Sequence, residues 1–142
     1  MNTFAAEDVV AQFEQGRTDP ATFRHADHVR LAFEYLQRYP VLAALEKFST
    51  ALRRFAAAQG KADRYHETIT WAYLFLIRER MARAGEARQS WESFAARNSD
   101  LLTWEKGTGG VLSRYYRPET LASPQARATF LLPDMGGSSE QR

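Results

Sequence analysis

Residues 65–81 read YHETITWAYLFLIRERM, and they decide the expected fold because the stretch is apolar on nearly every side when drawn as a helix. A helix of that kind is normally central, with other helices covering it on several sides. The helical pattern extends from about residue 63 to residue 84, and Gly85 then stands where a C-terminal cap falls. The stretch therefore predicts the central helix of an all-α domain.

Shorter amphipathic segments predict the helices that cover the central one. Their apolar residues recur at spacings of three and four, and no alternating pattern lasts long enough to indicate a strand. In one of them, Asp19 suits the N-cap position and Pro20 suits the first turn. The segments are residues 5–15, 20–38, 41–58, 90–96 and 124–130. We expect an irregular all-α bundle of four to five main helices plus short C-terminal helical pieces.

The composition is that of one ordinary globular domain. The chain has 142 residues, of which 44% are hydrophobic and 25% are charged, close to the averages for folded domains. We expect a single helical domain over residues 1–134 and a flexible C-terminal tail over residues 135–142. The absence of cysteine excludes disulfides and thiolate metal sites, and it favours a reducing compartment.

Charge and hydropathy argue against two classes of partner. The formal net charge is only +2 and the basic residues are not gathered in one run, which disfavours nucleic-acid binding. No segment approaches the roughly 20 apolar residues of a membrane span. The N-terminal residues have early acidic side chains and no apolar run, so they do not resemble a signal peptide. We expect a cytoplasmic protein that binds a small molecule, and the oligomeric state stays open.

All three histidines of the chain fall in two short motifs. In the helix predicted over residues 20–38, a rotation of about 100° per residue places His25 on the apolar stripe and His28 beside it. The spacing of three makes these two imidazoles neighbours on one face. The opposite face is expected to meet solvent, and it carries Asp27, Arg30, Glu34 and Arg38.

The third histidine lies at the start of the apolar helix. The same geometry puts His66 on the side of Thr70 and Tyr73, while Glu67 points about a quarter turn away. Buried imidazoles and carboxylates are costly unless they are paired. Each of these groups therefore needs a partner, which the other motif, a metal ion or a bound ligand would provide.

These patterns support the hypothesis of a histidine-centred metal site. His25, His28 and His66 are the candidate ligands for a divalent ion, either zinc or iron, with Glu67 or Asp27 as a further ligand or as a hydrogen-bond acceptor behind an imidazole. Glu67 is also the candidate catalytic acid or base, although residues adjacent on a helix do not face each other. The candidates for binding a small molecule or cofactor are Tyr65, Thr70 and Tyr73.

Two other interpretations remain open. The imidazoles and Glu67 would equally suit a metal-free pocket that hydrogen-bonds a polar ligand between aromatic walls. Alternatively, the histidines only stabilise helix packing in a structural or partner-binding domain. The sequence does not decide whether the protein is an enzyme.

Several segments together resemble a group of small uncharacterised bacterial proteins that share an F-x-H-x-D-H helix and a Y-H-E-T-x-T helix. The segments are FRHADHVRLA (23–32), YHETITWAYLFLI (65–77), SWESFAARNSDLL (90–102), RYY (114–116) and ARATFLLPD (126–134). The resemblance spans about residues 13–134 and implies a shared fold and a shared site. The matching site positions are His25, Asp27, His28, Tyr65, His66, Glu67, Thr68 and Thr70. The stretch WEKGTGG (104–110) is less typical of the group.

Overall fold

The computed structural model describes residues 5–85, 88–104 and 110–135, in which helices and their connections account for all the secondary structure and no strand occurs. Short 3-10 turns occupy Ala62–Arg64 and Gly110–Arg114. The α-helices are α1 (Ala5–Glu14), α2 (His25–Arg38), α3 (Val41–Ala58), α4 (Glu67–Ala84), α5 (Trp91–Arg97), α6 (Ser99–Leu102), α7 (Pro118–Leu121) and α8 (Pro124–Ala128). The all-α prediction is confirmed, including the short helical pieces near the C-terminus.

Two helices, α2 and α4, form the centre of the bundle. Helix α4 packs against α2, α3 and α8, as expected for a helix that is apolar on most sides. Helix α2 packs against α1, α3, α4 and α6, and residues 31–36 are all buried. The core therefore surrounds α2 as closely as α4, which the amphipathic pattern of α2 does not indicate.

One prediction about the solvent-facing side of α2 is wrong. Asp27 and Arg38 are exposed as expected, but Glu34 is only 4% exposed. The reason is that α5 lies against this side, where the guanidinium of Arg30 is 5.9 Å from the ring centre of Trp91. The Arg30 side chain also lies 3.7 Å from the Glu34 carboxylate. Burial nonetheless raises the pKa of Glu34.

Both histidine-bearing helices begin later than the sequence predicts. Helix α2 begins at His25 and not at Pro20, because the Asp19 carboxylate accepts a hydrogen bond from the amide of Ala21 in a turn at 2.9 Å. At the true N-terminus, the Asp27 carboxylate accepts a hydrogen bond from the Arg24 amide at 2.8 Å. Helix α4 begins at Glu67, after the 3-10 turn. His25 therefore lies in a first helical turn, and His66 stands just before one.

The C-terminal segment is tied to α4 by Thr68. The buried Thr68 hydroxyl donates to the Thr129 carbonyl at 2.8 Å and accepts from the Leu131 amide at 3.1 Å. Tyr116 adds a hydrogen bond to the Leu131 carbonyl at 2.7 Å. Of the predicted flexible tail, residues 136–142 lie outside the described residues. Within the described part of the chain, no helix is long and apolar enough to cross a membrane.

Candidate functional site

One cavity of about 500 Å³ has all three histidines in its wall. It lies between α2, α3, α4 and the connector formed by residues 59–66. Most of the wall is apolar, with aromatic rings from Phe23, Phe48, Phe55, Tyr65, Tyr73 and Trp104. The cavity opens to solvent beside the connector, because three residues that line it are also exposed: Pro20, Lys61 and Arg64. We call it the histidine cavity.

His66 is the N-cap of α4, and both of its ring nitrogens are occupied. Nδ1 accepts a hydrogen bond from the Ile69 amide at 3.1 Å, as N-cap side chains do. Nε2 lies 2.8 Å from the carbonyl oxygen of Leu121 in α7. A carbonyl can only accept, so Nε2 carries the proton and the ring is the neutral Nε2–H tautomer. Burial lowers the pKa of His66, which also favours the neutral form.

His25 joins α2 to α6. Its Nε2 lies 2.9 Å from the Leu101 carbonyl and therefore donates, which leaves Nδ1 with the lone pair. The ring contacts Tyr73 and Trp104, each with a centroid distance of 4.9 Å. Burial lowers the pKa of His25, so the imidazole is neutral at pH 7. One ring nitrogen of this cavity-lining histidine is therefore structural, and the other keeps an acceptor lone pair.

The position of α6, and hence of the Leu101 carbonyl, depends on an ion pair with α4. Arg80 donates two hydrogen bonds to the Asp100 carboxylate, at 3.0 and 2.9 Å. Arg80 also donates to the Asn98 side chain at 2.8 Å. A bidentate arginine–carboxylate pair fixes orientation as well as distance. This pair therefore helps to hold the Leu101 carbonyl that accepts the hydrogen bond from His25.

His28 offers its second nitrogen in the same way. Its Nδ1 lies 3.1 Å from the Arg24 carbonyl and donates to it, so Nε2 carries the lone pair. The ring packs against Phe23 at a centroid distance of 4.4 Å. Burial lowers the pKa of His28 to about 4. At neutral pH, His25 and His28 thus line the cavity as uncharged imidazoles, each with one acceptor nitrogen.

Tyr73 and Thr70, the candidate binding residues on α4, line the cavity together with His66. Both side chains are buried. The Tyr73 phenol accepts a hydrogen bond from the Val111 amide, and burial raises the pKa of Tyr73 to about 12. Gly110 is required beside it, because a Cβ at that position would stand 2.6 Å from the phenol oxygen. Tyr73 is therefore held firmly against the chain that follows residue 109.

Glu67, the candidate acid or base, is not among the residues that line the cavity. Its carboxylate accepts hydrogen bonds from the Tyr65 phenol at 2.6 Å and from Arg53 at 2.9 Å. The guanidinium of Arg53 also lies 4.8 Å from the ring centre of Tyr65. Burial, followed by the Glu67 contact, raises the pKa of Tyr65 to about 12. Tyr65 is thus a cavity residue that Glu67 and Arg53 hold in position.

The Y-H-E-T-x-T motif combines structural contacts with residues of the cavity wall. Thr68 and His66 attach α4 to the C-terminal part of the chain, and Glu67 orients Tyr65. Tyr65, His66 and Thr70 line the cavity. A sequence pattern alone does not separate these roles, since each motif position is polar and close to the first turn of α4.

The hydrogen bonds of His66 do not fit the proposed three-histidine metal site. A metal ion binds an imidazole through a nitrogen lone pair, and His66 has its lone pair on the Ile69 amide and its proton on the Leu121 carbonyl. Among residues 5–85, 88–104 and 110–135, no group of three or more His, Cys, Asp or Glu side chains is placed to hold a metal ion. Only His25 and His28 retain a ring nitrogen suited to coordination.

The sequence did not indicate the connector residues or the aromatic walls supplied by α3 and the loop before α2. Gln59, Lys61 and Arg64 line the cavity from the connector, and Phe23 and Phe55 line it from the other two elements. A helical stripe identifies Phe55 as apolar but not as part of a cavity wall.

No protein-family model, curated protein or solved structure matches this chain.

Proposed function

We propose that the protein binds a small organic molecule in the histidine cavity without a metal ion. The apolar part of the ligand lies among the aromatic rings, and hydrogen-bond donors of the ligand meet Nδ1 of His25 and Nε2 of His28. A volume of about 500 Å³ is within the range of small-molecule sites, roughly 300–1,000 Å³. Such sites combine apolar walls with a few placed polar groups.

The observation that carries the proposal is the pair of neutral imidazoles in this wall. Each uses one nitrogen to donate to a backbone carbonyl and keeps the other as an acceptor. Burial lowers the pKa of both, so they remain acceptors at neutral pH. His66 lines the same cavity but has both ring nitrogens engaged by backbone groups, so the free acceptors come from His25 and His28.

Filling the cavity tests the proposal. Ala56 lines it from α3, whereas the next residue, Ala57, is exposed and does not line it. We expect Ala56→Phe to abolish the ligand-induced rise in melting temperature that a fragment library produces in the wild type. Ala57→Phe should retain it. A bound ligand at about 100 times its Kd adds about 2.7 kcal/mol to the stability, a shift of several degrees.

The two variants are matched, because each introduces the same side chain at neighbouring positions of one helix. Circular dichroism of both variants checks that each of them folds. If the hits stabilise Ala56→Phe as much as the wild type, the binding site lies elsewhere. A library that yields no compound selective for the folded wild type would also count against the pocket.

A divalent metal ion is a second candidate, because the lone pairs of His25 and His28 lie on one helix at a spacing of three residues. Two imidazoles leave the remaining coordination positions to water or to a bound molecule. Zinc titration of untagged protein by calorimetry should then show one bound ion per chain, and His28→Asn should weaken its binding at least tenfold. Equal zinc affinity in the two proteins, or no uptake by the wild type, would contradict this candidate.

A further inference from the structure

The wall of the histidine cavity carries positive charge at its opening. Lys61 and Arg64 line it, and no described aspartate or glutamate does. The histidines add no charge at neutral pH, because burial lowers the pKa of all three. For the described part of the wall, the charge is therefore that of two cations, both on the connector between α3 and α4.

Hydrogen bonds fix the main chain from which these two cationic side chains extend. The Lys61 amide donates to the Ala56 carbonyl at 2.9 Å, and the Arg64 amide donates to the Lys61 carbonyl at 2.9 Å. Their side chains are exposed, and neither makes an ion pair with a carboxylate in the described part of the chain. Both cations are thus available to an anion at the opening.

Nearby acidic groups do not cancel this charge inside the cavity. Glu67 is paired with Arg53 at 2.9 Å. Asp63 belongs to the connector but does not line the cavity, and its backbone carbonyl accepts a hydrogen bond from Arg127 at 3.1 Å. Arg127 therefore adds a further cation near the connector. The electrostatic balance around the opening favours an anionic group on the ligand.

We infer that the ligand is an organic carboxylate with an aromatic or similarly flat apolar body. This inference rests on the proposed function, and it adds the ligand's chemical class. The body lies between the rings of Phe23, Phe55 and Tyr65 and the other walls, and the carboxylate lies at the opening between Lys61 and Arg64. Hydrogen-bond donors on the body would meet the imidazole acceptors, whereas a second anionic group deep inside would face those same lone pairs and be repelled.

A matched pair of probes tests the ligand class, indole-3-acetate and its neutral amide, indole-3-acetamide, whose ring N–H supplies a hydrogen-bond donor on the aromatic body. They share the aromatic body and differ in charge at one end. Calorimetry in low-salt buffer at pH 7.5 should show that the wild type binds the carboxylate about tenfold more tightly, since each exposed ion pair contributes a few-fold. In the double variant Lys61→Gln, Arg64→Gln the ratio should fall to about one.

A double variant with the same change in net charge controls for long-range effects. Arg78 and Arg88 are exposed and do not line the cavity, so Arg78→Gln, Arg88→Gln should keep the tenfold preference. Equal binding of acid and amide by the wild type would overturn the carboxylate class while leaving the pocket proposal intact, provided that Ala56→Phe abolishes both. Failure of both probes to bind at millimolar concentration would also overturn this class, and the library screen would still test the pocket independently. If the Arg78→Gln, Arg88→Gln variant also lost the preference for the acid over the amide, the preference would come from the net charge of the protein. That result would overturn the proposed role of Lys61 and Arg64.

Discussion

Replacing His66 with alanine should lower the free energy of unfolding by about 2 to 4 kcal/mol, in urea unfolding at pH 7.5. The side chain has two structural tasks. It caps α4 by accepting from the Ile69 amide, which is worth about 1 kcal/mol in comparable helices. It also donates to the Leu121 carbonyl, and a buried carbonyl left without a donor costs about 1 to 3 kcal/mol.

His66→Asn separates the two tasks. Asparagine is a good N-cap residue, but its amide is too short to span the distance that the imidazole bridges to α7. We expect His66→Asn to recover about 1 kcal/mol of the loss caused by alanine. A His66→Ala protein within about 0.5 kcal/mol of the wild type would show that neither hydrogen bond contributes as described, because typical surface substitutions have effects of that size.

Residues 65–81 predicted the fold well because a helix that is covered on most sides has apolar residues on most sides of its sequence projection. The apolar pattern of α4 identified its central position, and Gly85 correctly marked the end of the helix. The start of α4 was harder to predict. His66 is not among the residues most favoured at the N-cap, and its imidazole takes that role because its other nitrogen reaches α7, a contact between residues far apart in sequence.

The exposure of Glu34 was mispredicted for a related reason. A helical projection separates an apolar from a polar face, but it does not include elements that pack onto the polar face. Trp91 of α5 lies against Arg30, which is half-buried, and Glu34 beside it is buried. The approach of α5 depends on tertiary packing, and nothing local to α2 predicts it.

The candidate site was predicted in its histidines and not in its opening. Polar side chains on an apolar face are conspicuous in a sequence, since burial requires a partner. This reasoning selected His25, His28 and His66, and the structure brings all three to one cavity. Lys61 and Arg64 have no such signal, because exposed cations in a connector are common on any surface. Their relation to the cavity follows only from the path of the chain between α3 and α4.

The hydrogen bonds also separate roles that the sequence grouped together. On sequence grounds the three imidazoles were equivalent candidate metal ligands. In the structure, both ring nitrogens of His66 are hydrogen-bonded to backbone groups, whereas His25 and His28 each keep one nitrogen as a hydrogen-bond acceptor. Which nitrogen is free depends on the position of a carbonyl from another segment, such as that of Leu101. Because of this difference, the proposal that two uncharged histidines bind a small molecule is better supported than a metal site with three histidine ligands.

Acidification from pH 7.5 to 4.5 should remove about 2 to 3 kcal/mol of stability through His28 alone. Burial lowers the pKa of His28 from 6.5 to about 4. Between those values the unfolded chain binds a proton at this site and the folded chain does not, so the free energy of unfolding falls as the pH falls. Above about pH 6.5 the contribution is complete, and below about pH 4 it no longer changes. His25 and His66 act in the same direction, because burial also lowers their pKa values.

His28→Asn isolates this contribution from other titrating groups. Asparagine retains a hydrogen-bond donor near the Arg24 carbonyl but does not titrate. The raised pKa of Glu34 opposes the histidines, because that carboxyl gains stability as the pH falls, and Glu34 is present in both proteins. Urea unfolding at several pH values should therefore show a shallower loss in the variant, with the two curves diverging by about 2 to 3 kcal/mol between pH 7.5 and 4.5. Parallel curves would mean that burial does not lower the pKa of His28, and that the ring titrates in the folded protein as it does in the unfolded chain.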